Sequence, residues 1–474
     1  MIAEQVENLI GGKRVPARGG EWLEKVRPVD ETLLCRVARS GADDVEDAVA
    51  AARAAQPAWA DQTAVSRGDV MRELALLLRE RREEASAIVM EETGKPEELA
   101  FGETDAAVEM GLFIAGEGRR SYGRTTTASM EHRTVLTVRQ PLGVAALVMS
   151  FNTPLPNVAW KAFPALFCGN AAVVKPSEHT PASATFFAEL ALEAGVPPGA
   201  LNVVQGLGDE AGASLVAHPD VDLVSFTGSA RTGRAINEVA ARRLAKTCLE
   251  LGGKNPLVVC DDADLDNAVR WALASAFSNA GQRCASASRI VVLDPVYDEF
   301  RQRLLEAAGP LAPQPVISRE SLERILDAVG EAREAGATVL TGGERLDRPG
   351  WYLAPTVVER AAPDASISRT ELFGPVTLLY RTGSLDEAIT LVNDSPYGLT
   401  AAIHTASLHR AMRFAERVQA GVVVVNAGTH GSEPHMGFGG VKDSGTGWRE
   451  AGIESLDVYS DPKVVNLVVD PAKA

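Results

Sequence analysis

Gly143-Val-Ala-Ala-Leu-Val-Met-Ser150 is an apolar run of strand length, closed by the turn-forming residues Asn152, Thr153 and Pro154. A run of this length without polar alternation suits a strand covered on both faces. The pattern repeats downstream. Residues 171–174, 201–205, 223–227 and 256–260 read as further buried strands, and helices fill the intervals around 159–168, 182–194 and 231–242. Such alternation predicts a parallel α/β sheet with helices on both faces. Residues 264–279 carry the clearest helical period, with Leu265, Ala268, Val269, Ala272, Leu273, Ala276 and Phe277 on one face. From Ser286 to Asn426 a second α/β series follows.

Upstream, the segment to about Ser40 reads as strands and turns. Residues 42–82 and 97–118 are helical in pattern, the former opening on Asp43 and Asp44. Residues 126–140 and 457–469 alternate in polarity and read as strands outside the main cores.

A chain of 474 residues exceeds one ordinary core, so two or three domains are expected. The net charge of −16 argues against a nucleic-acid surface, which needs an excess of Lys and Arg. The five cysteines (Cys35, Cys168, Cys248, Cys260, Cys284) are odd in number and form no CxxC, as in a reducing compartment. The histidines are scattered without metal-ligand spacing, so no metal is expected. Residues 1–8 lack a basic start and an apolar run, and 144–151 is too short to cross a bilayer. The expectation is a cytoplasmic protein with no membrane and no nucleic-acid partner.

Two motifs carry the chemistry: Phe277-Ser-Asn-Ala-Gly-Gln-Arg-Cys284-Ala-Ser-Ala287 and Leu249-Glu250-Leu-Gly-Gly-Lys254. A thiol that attacks a carbonyl needs a second group to activate water and release the acyl product. Taken alone, Cys284 reads as a small core residue and Glu250 as a structural carboxylate. Placed between Leu249 and Leu251, however, Glu250 should be desolvated and its pKa raised. Gly252 and Gly253 permit close backbone approach.

Together these motifs resemble the signature of the aldehyde dehydrogenase superfamily, and the resemblance runs from about Ile10 to the C-terminal region without fixing a subfamily. It implies a Rossmann-like parallel-sheet cofactor domain (1–122 and 142–252), an α/β catalytic domain (253–442) and a small β oligomerisation flap (123–141 and 455–470), assembled as a homodimer or homotetramer. The implied reaction is NAD(P)-dependent oxidation of an aldehyde to a carboxylate. Cys284, activated locally, would form a thiohemiacetal and then a thioester, Glu250 would activate the hydrolytic water, and Asn152 would donate to the oxyanion.

For the cofactor, the resemblance assigns Lys175 and Glu178 to the adenosine ribose, and Gly228 and Ser229, with Gly233 on the following helix, to the pyrophosphate. Glu371 and Phe373 fall at the nicotinamide ribose. A carboxylate at Glu178 favours NAD over NADP. Gly206-Leu-Gly208 also follows a strand but is out of step with a dinucleotide fingerprint. The segment 310–317 is shorter than the family's usual length and is expected to be a surface loop remote from the thiol, and Trp448 is an extra residue in its motif.

Thr153, Trp160, Arg283 and Phe438 are the candidate pocket residues, with His430, Glu433 and His435 on a polar loop. They suggest a polar aldehyde, with Arg283 either meeting an anionic group or turned away into an ion pair. Transfer of the acyl group to coenzyme A is the alternative reaction, against which Glu250 argues. A catalytically idle homologue is the other alternative, against which the joint presence of Cys284, Glu250, Asn152, Lys175 and Glu371 argues.

Overall fold

The computed structural model describes residues 2–473. Two seven-stranded sheets carry most of the chain. In the first, Lys246–Leu251, Leu223–Gly228, Val144–Val148, Ala171–Lys175 and Leu201–Val203 lie side by side and parallel, and Asn8–Ile10 and Lys13–Val15 extend the edge antiparallel. Helices Pro154–Phe167, Pro181–Glu193 and Ala230–Ala241 connect its strands. In the second, Thr356–Glu359, Val376–Thr382, Ala287–Leu293, Asn255–Val259, Thr400–His404 and Val422–Val425 are parallel, and Thr338–Thr341 closes one edge antiparallel. The α/β reading of the sequence holds in both.

The central strands are buried throughout because helices cover both faces, which explains their unbroken apolar runs. Phe163 is fully buried on the Pro154–Phe167 helix, edge-on to Phe187 at 5.4 Å. Gly111 lets the neighbouring helix close on it, since a Cβ there would lie 2.4 Å from the Phe163 ring.

Three elements differ from the sequence reading. Residues Arg82–Thr93 form a helix of their own, ended by Gly94 in the left-handed conformation. Residues 126–140 are two strands rather than one: Arg124–Thr127 pairs with Arg133–Pro141, which pairs in turn with Ser460–Val468. Lys246–Leu251 is a six-residue edge strand that its polar start, Lys-Thr, concealed.

Truncating Phe163 should open a cavity that these packed neighbours cannot refill. Phe163→Ala is expected to destabilise the fold by about 3–5 kcal/mol, read as a lower urea midpoint.

Candidate active site

The chain crosses from the first sheet to the second at Gly252-Gly253-Lys254, between strands Lys246–Leu251 and Asn255–Val259. There is no room for a side chain at the crossing. A Cβ on Gly252 would lie 1.8 Å from Glu371 Oε2, and one on Gly253 would lie 2.5 Å from Asn255 Oδ1 and 2.9 Å from the Cys284 carbonyl. The Gly253 N–H donates to Glu371 (3.1 Å). Asn255 Nδ2 donates to the carbonyls of Cys284 (2.7 Å) and Ser286 (2.9 Å), tying the cysteine to the crossing.

Cys284 follows a turn in which Asn279 (φ 56°), Ala280 (φ 52°) and Gly281 (φ 67°) are all left-handed. Such a run costs on the order of 1–2 kcal/mol per non-glycine residue and persists only when its surroundings hold it. Asn279 Nδ2 donates to the carbonyls of Asn152 (3.1 Å) and Gln282 (3.2 Å). Gln282 is held in turn by Ile317, whose N–H donates to its Oε1 (2.9 Å), and it donates to the Pro315 carbonyl (3.3 Å). The segment 310–317 is therefore not remote from the thiol: its end braces the residue two positions before Cys284.

A cavity of about 390 Å³ opens beside this turn. It brings together Cys284, Glu250 and Asn152 with Thr153, Trp160, Arg283 and Phe438. Trp160 and Phe438 meet edge to face at 5.6 Å and form an aromatic wall. The Thr153 hydroxyl accepts from Asn157 Nδ2 (2.9 Å), and both residues line the cavity. Of the polar loop, His430 and Ser432 face the cavity, whereas Glu433 and His435 are exposed and 3.7 Å apart. Arg283 makes no ion pair among the described residues, and its Nε is buried without a partner. The ion-pair alternative for Arg283 therefore fails.

Neither Glu250 oxygen has a hydrogen-bond partner within the described residues. Burial first, and the Glu450 carboxylate next, push the Glu250 carboxyl well above the usual range. The Cys284 thiol is pushed up to about 12 by burial, then by Glu250 and Glu371, while Arg283 pulls it down. Burial and the two carboxylates that face the thiol oppose its activation, and Arg283 favours it.

On the other side of the crossing, the carboxyl ends of neighbouring parallel strands converge. Val148 lies in register with both Lys175 and Phe226, and Gly228 with Leu251. Strand order reverses between Val144–Val148 and Leu223–Gly228, which makes a crevice at this end of the sheet. Lys175 is buried with its ammonium 3.5 Å from Glu178. Ser229 caps helix Ala230–Ala241, its hydroxyl accepting the Thr232 N–H (3.2 Å). Gly233 has a packing reason of its own, since a Cβ there would lie 2.5 Å from Leu251 Cδ2. Glu371 is pushed up to about 7 by burial, against the Gly253 N–H and Lys254. Phe373 (φ 52°) stands edge-on to Phe151 at 5.6 Å, and Phe151 to His179 at 5.7 Å, linking the Glu371 loop to the Glu178 side. Gly206 is used in close approach to Ser40 rather than in a phosphate loop.

The model of the aldehyde dehydrogenase family matches residues 15–465. The chain belongs to the aldehyde dehydrogenase family. It is 37% identical to the succinate-semialdehyde dehydrogenase [NADP(+)] GabD of Escherichia coli, over 96% of each chain. It is 34% identical to the α-ketoglutaric semialdehyde dehydrogenase of Bacillus subtilis, over 97% of each. Among solved structures, a point mutant of betaine aldehyde dehydrogenase from Staphylococcus aureus in complex with NAD+ superposes with a TM-score of 0.96 at 33% identity, covering 98% of this chain and 96% of that one.

Sequence reading missed two buried ion pairs of this aldehyde dehydrogenase. Lys95 pairs with Glu103 and also donates to the Asn152 carbonyl (2.7 Å). Lys161 pairs with Glu450, and Ser225 donates to the same carboxylate (3.0 Å). A single lysine inside the apolar run Val158–Phe167 was the available signal for the second pair, because a lysine there must be buried and partnered. For the ligand-free protein, alkylation of Cys284 should still rise with pH at pH 10, without the plateau of an ordinary thiol near its pKa. The iodoacetamide rate profile checks this.

Proposed function

We propose that the protein oxidises a polar aldehyde to a carboxylate with NAD as the preferred cofactor and NADP as the other candidate, releasing the acid by hydrolysis. The observation that carries the reading is the convergence of Cys284, Glu250 and Asn152 on one cavity. Cys284 is the nucleophile. The Asn152 side-chain amide and the Cys284 N–H, neither of which has an acceptor among the described residues, donate to the oxyanion. The Asn152 carbonyl accepts from Lys95 and Asn279, which fixes the backbone that carries the amide.

The donor set fits a dinucleotide. Lys175 and Glu178 would hold the adenosine ribose, Gly228, Ser229 and the helix start carrying Gly233 the pyrophosphate, and Glu371 with Phe373 the second ribose. When bound, NAD supplies the acceptor for the hydride lost by the aldehyde carbon. Cys284 is then left as a thioester. Glu250, whose oxygens have no protein partner, takes a proton from the attacking water.

In this reading residues 1–122 and 142–252 bind the dinucleotide and 253–442 carry the thiol. Segments 123–141 and 455–470 pair subunits into a homodimer or homotetramer, in keeping with exposed Val138, Val464, Leu467 and Val468 on the flap. Five free cysteines are in keeping with a cytoplasmic enzyme. No helix among the described residues is long and apolar enough to cross a membrane. Two relatives are named for anionic semialdehydes, which favours a polar substrate.

Glu250→Gln should leave a single-turnover burst of NADH and lower the steady-state rate about 10²–10⁴-fold, measured by stopped-flow absorbance. Because the Glu250 pKa is raised, its base form is lost as pH falls through that raised value, so wild-type turnover should decline on the acid side. Asn152→Ala should lower kcat about 10²–10³-fold. Added coenzyme A should yield no acyl-coenzyme A, and an acyl-coenzyme A product would reverse the hydrolytic assignment.

A further inference from the structure

The cavity wall holds one cation that the protein does not neutralise. Lys95 is paired with Glu103 and Lys161 with Glu450, but Arg283 has no carboxylate within ion-pair distance among the described residues. Its Nε is buried without a partner, and so are His430 Nδ1 and Ser432 Oγ, from the loop that lines the same cavity. Glu98 also borders the cavity, but it is exposed at the rim, where water screens it. Glu103 borders the same cavity and feels the Arg283 charge, but it is already paired with Lys95, so the two cations and one carboxylate leave a net positive charge there. Buried donors without acceptors are unfavourable. These polar atoms are therefore arranged for something that is not part of the chain.

We propose that Arg283, with His430 and Ser432, binds a carboxylate at the far end of the substrate, so that the aldehyde oxidised is a short ω-carboxylate aldehyde. The proposal rests on the aldehyde-oxidation reading above and names its substrate class. Burial and the Arg283 charge lower the His430 pKa to about 4, so the imidazole is neutral at physiological pH and can donate one hydrogen bond without adding charge. One uncompensated positive charge matches a monoanion better than a phosphate dianion. Arg283 and Cys284 line the same cavity of about 390 Å³, so an anion on the guanidinium and a carbonyl on the thiol can belong to one small substrate. The Trp160–Phe438 wall borders the same cavity and offers apolar surface to the methylenes between them.

The test is kcat/KM for 4-oxobutanoate and for butanal with NAD, in the wild type, Arg283→Gln and Arg283→Lys. The wild type should prefer 4-oxobutanoate. The ratio of the two constants should fall about 100-fold in Arg283→Gln and be partly kept in Arg283→Lys. A ratio is taken on one preparation, so a partly folded variant does not disturb it. An unchanged ratio in Arg283→Gln overturns the carboxylate site, as does a wild type that prefers butanal. Faster turnover of glyceraldehyde 3-phosphate than of 4-oxobutanoate overturns the choice of carboxylate. Absence of turnover of all three and of benzaldehyde, with NAD and with NADP, overturns the oxidation reading itself.

Discussion

The two-glycine crossing between the sheets is the constraint on which the site depends. Glu250 ends the first sheet, Asn255 begins the second, and the space a Cβ would need at Gly252 and Gly253 is filled by Glu371, Asn255 and the Cys284 carbonyl. Base, nucleophile turn and the Glu371 loop therefore meet around two Cα positions. Any side chain there would push apart groups that come from three distant parts of the sequence. Rigid placement follows from strands rather than loops, because both flanking strands are buried in parallel sheets.

A second constraint passes through one backbone atom. The Asn152 carbonyl accepts from Lys95 and from Asn279, and Asn279 is the first residue of the left-handed turn before Cys284. The strain of that turn is thus held by the residue that also presents the amide to the cavity. Gln282, anchored by Ile317 and Pro315, fixes the turn from its other side. Losing either anchor would let the thiol and the amide move independently, which explains why polar residues with no chemistry of their own are buried here.

Much of this was legible in the sequence, and the reasons for the rest are physical. Apolar runs such as residues 143–150 disclose central strands because both faces are covered, and the two motifs disclosed the thiol and the carboxylate. Lys246–Leu251 does not read as a strand in the sequence because its first two residues, Lys-Thr, are polar and only partly covered at the sheet edge. Lys95 and Glu103 look like surface charges in sequence, and only the fold shows that they neutralise each other behind Asn152. The trimmed segment before Ile317 was read as remote because chain distance carries no information on which turn it braces.

Electrostatics give the cavity its direction. Burial and the Glu450 carboxylate raise the Glu250 pKa, and burial with Glu250 and Glu371 raises that of the thiol, so the site disfavours negative charge on both. Such a site is inert toward adventitious electrophiles and requires positive charge nearby before the thiolate is favoured. Arg283 is the protein's own contribution of that sign, and it acts on the thiol from the adjacent residue. An anion bound by Arg283 would cancel part of that help, so the same guanidinium cannot fully serve both the thiol and an anionic substrate.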